Sequence, residues 1–258
     1  PDRSGEGDLE ITAPSRRVLH WIGQPTKDAA GDTIGLTLTF QDVTQEREVS
    51  QMKSDFVSFV THQLRTPLAG IKWLLELAVQ DPGVPEEARS YIQDSRESAD
   101  RLVALVNDLL DVSRLESGKL TVAPQTTDLG EMTRSVLDEV GVLIRDKGHR
   151  LSVTGAEDVP PVQVDPQLFR QVILNLVSNA IKFTPPGGDL AIRMGKEDAV
   201  VRWAIKDSGI GIPKEAQHRL FEKFYRAENA PSIETEGTGL GLYLVRLIVE
   251  RFGGRVWC

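Results

Sequence analysis

The chain has 258 residues, 40% of them hydrophobic and 26% charged, an ordinary globular composition with room for one large domain or two or three small ones. A formal net charge of −8 argues against a nucleic-acid surface, which shows as a basic excess. The single cysteine, Cys258, is the last residue and excludes an intrachain disulfide framework, which fits a reducing cytosol. No apolar run approaches the ~20 residues that span a bilayer, and no signal peptide is evident. A cytoplasmic segment without membrane contact is expected, and both ends read as cut, which leaves room for an anchor elsewhere in a longer protein.

Region 1–43 has two apolar stretches, Val18–Ile22 and Ile34–Phe40, around the turn-rich Lys27–Asp32. Their alternation predicts a β-hairpin. Some forty residues bury little core alone, so this reads as the tail of a larger module. Region 44–117 is helical. Thr44 is the expected N-cap, with Arg47 where a capping box wants Glu or Gln, and Val49, Met52, Phe56, Phe59, Gly70, Leu74 and Leu77 follow at helical spacing. Asp81–Pro85 is a breaker; a second helix starts near Glu86, carries Ile92, Ser95, Ala99, Leu102, Val106, Leu109 and Ser113, and closes at Gly118. Two helices with one apolar stripe each bury it best against a second copy, as a four-helix bundle from two chains. The alternative is a helical hairpin packed on its own neighbouring domain.

Region 118–258 alternates: a strand at Leu120–Val122, a helix capped by Asp128, a strand at Arg150–Val153 and a helix opened by Asp165-Pro166. Strands at Asp189–Gly195 and Val200–Asp207 follow, then a long polar loop, a helix from about Gly239 to Phe252 and a strand-like end, Gly254–Cys258. The pattern predicts an α/β sandwich with one sheet, so the fold class is α+β.

On the helix after Asp165, Gln171, Asn175, Ser178, Asn179 and Lys182 fall within roughly 60° of one another. Solvated faces usually carry Glu and Lys; amide oxygens can instead ligate a hard cation, and a lysine can meet phosphate. Downstream, Asp207-Ser-Gly-Ile-Gly-Ile-Pro213 puts a carboxylate at a strand end, followed by glycines that let backbone approach a planar ring. Gly237-Thr-Gly-Leu-Gly-Leu242 runs into a helix and can form a phosphate cradle of backbone N–H groups. Either glycine motif alone is more often a turn. A dinucleotide reading fails, because Gly237 follows a polar loop and not a strand.

In this order the motifs resemble those of sensor histidine kinases of bacterial two-component systems. Gln171–Thr184 is similar to the N box, Asp207–Pro213 to the first glycine box, Phe221-Glu-Lys-Phe-Tyr-Arg226 to the F box and Gly237–Leu242 to the second glycine box. Phe59-Val-Thr-His-Gln-Leu-Arg-Thr-Pro-Leu68 resembles the H box, and Asp42-Val-Thr44 resembles the end of a PAS sensor domain. The resemblance implies a homodimer that binds ATP and Mg²⁺, phosphorylates His62 and serves a response regulator receiver domain. It implies that Asp207 accepts from the adenine amine, Asn179 ligates Mg²⁺ with support from Asn175, and Lys182 and Arg226 neutralise phosphate. Gly209, Gly211, Gly237, Gly239 and Gly241 would let backbone meet nucleotide, and the loop from about Pro213 to Glu236 would be a mobile lid.

His62 lies roughly 80° off the centre of its helix's apolar stripe, so its imidazole should reach solvent. Pro67 removes the helical partner of the Gln63 carbonyl and should kink the helix. Arg65 can face a phosphate, and Thr66, at i+4, shares the face with a hydroxyl that can orient water. By resemblance, Thr66 serves dephosphorylation of the regulator. One position departs from the family, which usually has Glu or Asp after the phosphorylated histidine. Here it is Gln63, whose amide can hold the tautomer but cannot take the proton. Two readings stay open: an active kinase, or an ATP-binding dimeric scaffold with weak kinase activity. A third, a gyrase-like ATPase, would need a glutamate where Asn175 stands.

Overall fold

The computed structural model describes residues 5–12, 17–29, 31–81, 83–117, 120, 122–230 and 237–258. The chain divides into two compact units, residues 1–62 and 63–258.

The first unit holds an antiparallel sheet in the order β1 (Gly5–Ile11), β2 (Arg17–Lys27), β3 (Thr33–Asp42). The expected hairpin is β2 with β3, in a register that sets Trp21 opposite Phe40 and Ile22 opposite Thr39. Ala30 of its turn lies outside the described residues. β1 was not expected, since its glycines and charges leave only Leu9 and Ile11 as an apolar signal. Leu36, Leu38 and Phe40 stay exposed, in keeping with a three-stranded sheet too small to close a core by itself.

Helix α1 (Thr44–Gln80) begins one residue before the expected start, so Thr44 is its first helical residue and not its N-cap. The Arg47 N–H takes the Val43 carbonyl, and the Thr44 hydroxyl turns back to Asp42 while accepting the Val18 N–H at 2.9 Å. The Asp-x-Thr segment therefore spends its side chains on tying the helix start to the sheet. Asp8 of β1 adds an ion pair with Arg47 and a 2.8 Å contact with His20.

In the second unit α1 passes through Pro67 and pairs with α2 (Glu86–Glu116). Arg65 donates to Asn107 at 2.8 Å and Lys72 meets Asp100 at 2.7 Å, rungs seven residues apart on both helices, as an antiparallel pair requires. Pro82 of the breaker and Gly118 of the expected stop lie outside the described residues. The strand expected at 120–122 is not found: residue 121 is outside the description, and the Leu120 N–H is spent on the Arg114 carbonyl at the helix end. Pairing falls instead to β4 (Gln125–Thr127), antiparallel to β6 (Val162–Val164).

Asp128 caps α3 (Leu129–Asp146) by accepting the Glu131 N–H, and Asp165 caps α4 (Pro166–Phe183) by accepting from Gln167 and Leu168. Pro166 takes the first helical position, where a missing N–H costs nothing. A second sheet runs β5 (Arg150–Thr154), β7 (Asp189–Glu197), β8 (Val200–Asp207), parallel then antiparallel. Two ladders thus replace the single expected sheet. A short α5 (Lys214–Gln217) precedes α6 (Gly241–Arg251), which starts after Gly239 because that residue has φ +67°. No strand forms at 254–258, where the Gly253 and Gly254 N–H groups close the end of α6.

One core lies between α3, α4 and the β5–β7–β8 sheet, around Val136, Val140, Ile173, Val177, Leu190 and Ile192. A second gathers Val112 of α2, Val172 of α4 and Leu240, Leu244, Val245 and Ile248 of α6. Full burial of each such side chain stabilises by ~1.5–3 kcal/mol relative to exposure, so the end of α2 is firmly packed on the following domain. Along α1, by contrast, Met52, Phe56, Phe59, Leu74 and Leu77 are exposed. No helix among the described residues is long and apolar enough to cross a membrane.

Candidate active site

The amide stripe of α4 lies beside the start of α6. Asn175 directs its Oδ1 toward Gly241, where an added Cβ would sit 3.4 Å away, and its Nδ2 is buried with no hydrogen-bond partner. An orphaned buried amide is a cost in search of a ligand. Asn179, one turn on, is half-buried on the same face. Lys182 is exposed, on a turn whose carbonyls are held: Lys147 Nζ donates to Ile181 at 2.9 Å, and the Ile210 N–H to Phe183 at 3.3 Å. His149, buried, sets its Nε2 3.3 Å from the same Ile181 oxygen.

The first glycine motif is seated on that turn. A Cβ on Gly209 would lie 2.4 Å from the Phe183 carbonyl oxygen, so only glycine fits against the end of α4. The exposed Asp207 accepts the Gly209 N–H at 2.9 Å, which fixes the orientation of its carboxylate. Gly211, at φ +68°, has open space where a side chain would be. The second glycine motif meets the F-box-like segment backbone to backbone. Gly239 accepts the Phe224 N–H at 3.0 Å, and a Cβ on it would fall 2.7 Å from the Phe224 carbonyl carbon. Phe224 itself is held at φ +63°, strained for a bulky residue. Arg226 donates to the Gly237 carbonyl at 3.3 Å, which ties the segment to the glycines across residues 231–236, a part of the expected lid outside the described residues. The cradle, the orphaned amide and the cations fit a nucleotide with its phosphates and a divalent ion.

On α1, His62, Gln63, Arg65 and Thr66 are exposed, next to the buried Thr61. Arg65 is committed to Asn107 and so helps hold the helix pair.

Several residues had no signal in the sequence. Asp108 and Asp111 of α2 turn toward α4, where Gln171 donates to Asp111 at 3.2 Å. Burial, then the Asp111 charge, pushes Asp108 from 3.8 up to about 6, against the pull of Lys182. A carboxyl whose folded value is raised binds its proton more tightly when folded. The cost of ionising it is absent below about pH 4, grows between about 4 and 6 and is complete above. Asp108→Asn is therefore expected to stabilise the second unit by ~1–2 kcal/mol at pH 7.5, after discounting for water, and by nothing measurable near pH 4. Urea unfolding at the two pH values checks it; equal gains at both would contradict the assignment. Glu116, the last residue of α2, meets Lys223 and Tyr243, contacts that no local pattern could announce.

A family model described as Histidine kinase-, DNA gyrase B-, and HSP90-like ATPase matches residues 164–258, and one described as His Kinase A (phospho-acceptor) domain matches residues 52–118. The chain is 35% identical to Drug sensory protein A of Synechocystis sp. over 96% of its length, and 34% identical to the signal transduction histidine-protein kinase BarA of Escherichia coli over 96%. It spans 39% and 28% of those two proteins. The crystal structure of full-length ShkA in complex with AMPPNP superimposes with a TM-score of 0.63 at 30% identity, covering 77% of this chain and 41% of that one. An ATPase-type domain joined to a phospho-acceptor hairpin defines a protein-histidine kinase. The chain belongs to the sensor histidine kinases of bacterial two-component systems.

Proposed function

We propose that this chain is a cytoplasmic kinase core that moves the γ-phosphoryl group of Mg-ATP onto Nε2 of His62 and then to an aspartate of a response regulator receiver domain. It would be organised as the end of a PAS-like module (1–43), a dimerisation and phosphotransfer hairpin (44–117) and an ATP-binding domain (118–258). The observation that carries the reading is an exposed helical histidine inside the phospho-acceptor match, on the same chain as the glycine cradle. The relative solved with AMPPNP supports the choice of nucleotide.

Asp207 would accept from the adenine amine. Asn179 would hold Mg²⁺ with Asn175 behind it, and Lys182 and Arg226 would offset phosphate charge. The ion, when bound, supplies charge neutralisation across the phosphates. These residues position and neutralise, which is what a loose phosphoryl transfer needs. Nε2 of a neutral imidazole forms its bond to phosphorus as the bond to the bridging oxygen breaks, and ADP carries away the electron pair. The Nδ1 proton is held by the Gln63 amide oxygen until it passes to water. Thr66 would orient water for the reverse duty, phosphatase action on the regulator. The exposed apolar stripe of α1 supports a homodimer through the hairpin.

Incubation with γ-labelled ATP tests the reading: label should be acid-labile and base-stable, as a P–N bond requires. Gln63 favours a second reading, a scaffold that binds ATP and phosphorylates poorly. Gln63→Glu decides between them. A carboxylate stabilises the charge growing on the ring and receives the proton, help worth ~10²–10⁴ in general-base catalysis. A loose transition state uses less of it, so the expected gain in initial rate is on the order of 10–100-fold. Equal rates would show that Gln63 is no handicap, and label on the variant alone would favour the scaffold.

A further inference from the structure

We infer that Glu116 restrains the kinase reaction: its carboxylate latches the nucleotide domain onto the end of α2, and releasing it speeds transfer to His62. The inference rests on His62 as the acceptor.

Three parts of the chain meet at this carboxylate. Lys223 Nζ donates to both oxygens at 3.0 Å, and the Tyr243 hydroxyl donates to one at 2.7 Å. The ammonium also lies 5.7 Å from the Tyr243 ring centroid, so the cation is shared between charge and π-face. Burial, then Glu116, pushes the tyrosine up to about 12, in keeping with a hydroxyl that donates to the carboxylate.

The two gripped residues flank the nucleotide machinery. Lys223 precedes Phe224, whose N–H is bonded to Gly239, and Tyr243 lies two residues beyond Gly241 in the first turn of α6. One carboxylate on α2 thus holds both ends of the segment that carries Arg226 and the second glycine motif. Load on Glu116 reaches the cradle through two backbones.

A docked arrangement of this kind has to break during the cycle. The same histidine must meet a γ-phosphate and later a regulator's aspartate, and one fixed docking cannot serve both. The charges say which step it opposes. While the latch is closed, Gln171 is committed to Asp111, and Asp108 and Asp111 bring negative charge to the side of α4. A polyanionic nucleotide favours the arrangement in which those carboxylates are withdrawn. The latched form is the resting one.

The ion-pair side chains are 25% and 29% exposed, so the contact is worth more than a surface pair and less than a buried one. Glu116→Gln is expected to raise the initial rate of His62 labelling roughly three- to tenfold and to lower KM for Mg-ATP. Lys223→Met and Tyr243→Phe should shift both in the same direction, and Glu116→Lys combined with Lys223→Glu should return the rate toward the parent's. In hydrogen exchange on the whole chain, amides of Lys223–Arg226 and Gly237–Tyr243 should exchange faster in Glu116→Gln, with an unchanged melting temperature excluding unfolding. Exchange and rate both equal to the parent's, or a slower rate, would overturn the latch. A parent that takes no acid-labile label would instead indict the assignment of His62, and the exchange data would still judge the latch.

Discussion

Replacing His62 by alanine is expected to abolish incorporation of label from γ-labelled ATP and to leave nucleotide affinity nearly unchanged. His62 is an exposed side chain on α1, whereas the cradle is built from α4, Asp207–Gly211 and the start of α6, within a separate stretch of sequence. Truncation at an exposed helical position costs little stability, since histidine and alanine differ by a few tenths of a kcal/mol in helix propensity and alanine is the better former. The loss should therefore be one of chemistry: no other group would present an imidazole lone pair at that place. A single-turnover assay on the purified variant, with calorimetry for an unhydrolysable ATP analogue alongside, separates the two quantities. Acid-stable label on the parent, or label persisting on the variant, would remove His62 from the mechanism. A large fall in affinity would mean that the histidine belongs to the nucleotide pocket.

The second large effect belongs to the amide stripe. Asn179→Ala should weaken Mg²⁺-dependent nucleotide binding by about 100-fold, the size expected for one lost charge-assisted contact of ~3 kcal/mol. The side chain is half-buried one turn beyond Asn175, whose own amide is already orphaned beside Gly241. Removing it takes a neutral oxygen from a site that, on the proposed function, would hold a dication next to several phosphate charges. With the metal chelated, parent and variant should bind alike and weakly, because the lost interaction runs through the ion. Calorimetry with the analogue, with and without Mg²⁺, reads this directly. Equal affinity of the two proteins in Mg²⁺ would place the ion elsewhere.

Both effects concern residues legible from sequence, and the reason is their locality. Helix caps such as Asp128 and Asp165 act on N–H groups two or three residues away, so each announces itself within one turn. The amide stripe of α4 is a periodicity on one helix, and each glycine motif is a short run ahead of or behind a regular element. Elements bounded by such signals, from α2 through α4 to β8, lie close to where the residues predict them. Strands without a local signature fared worse. β1 hides its alternation behind glycines, β4 and β6 have only three residues each, and residues 254–258 look strand-like without pairing as one. A strand exists only when another edge takes its hydrogen bonds, and that edge lies far along the chain.

The repertoire is written in the residues: an exposed histidine with Gln63 in place of an acid, two amides on one face, and glycines where backbone must come close. What those pieces meet follows from the folded chain. It set Gly209 on the Phe183 carbonyl and Gly239 on Phe224, turned the end of α2 onto α6, raised Asp108 by burying it beside Asp111, and closed Glu116 on Lys223 and Tyr243. Glu116 is separated from those partners by 107 and 127 residues, and before folding it is one charged residue at a helix end among many. Its role comes from a core of Val112, Leu240, Leu244 and Ile248 that brings the helix end to the domain. Burial of apolar area is non-directional and can bring distant segments together without any local code, whereas the polar contacts riding on it are specific only once it has formed.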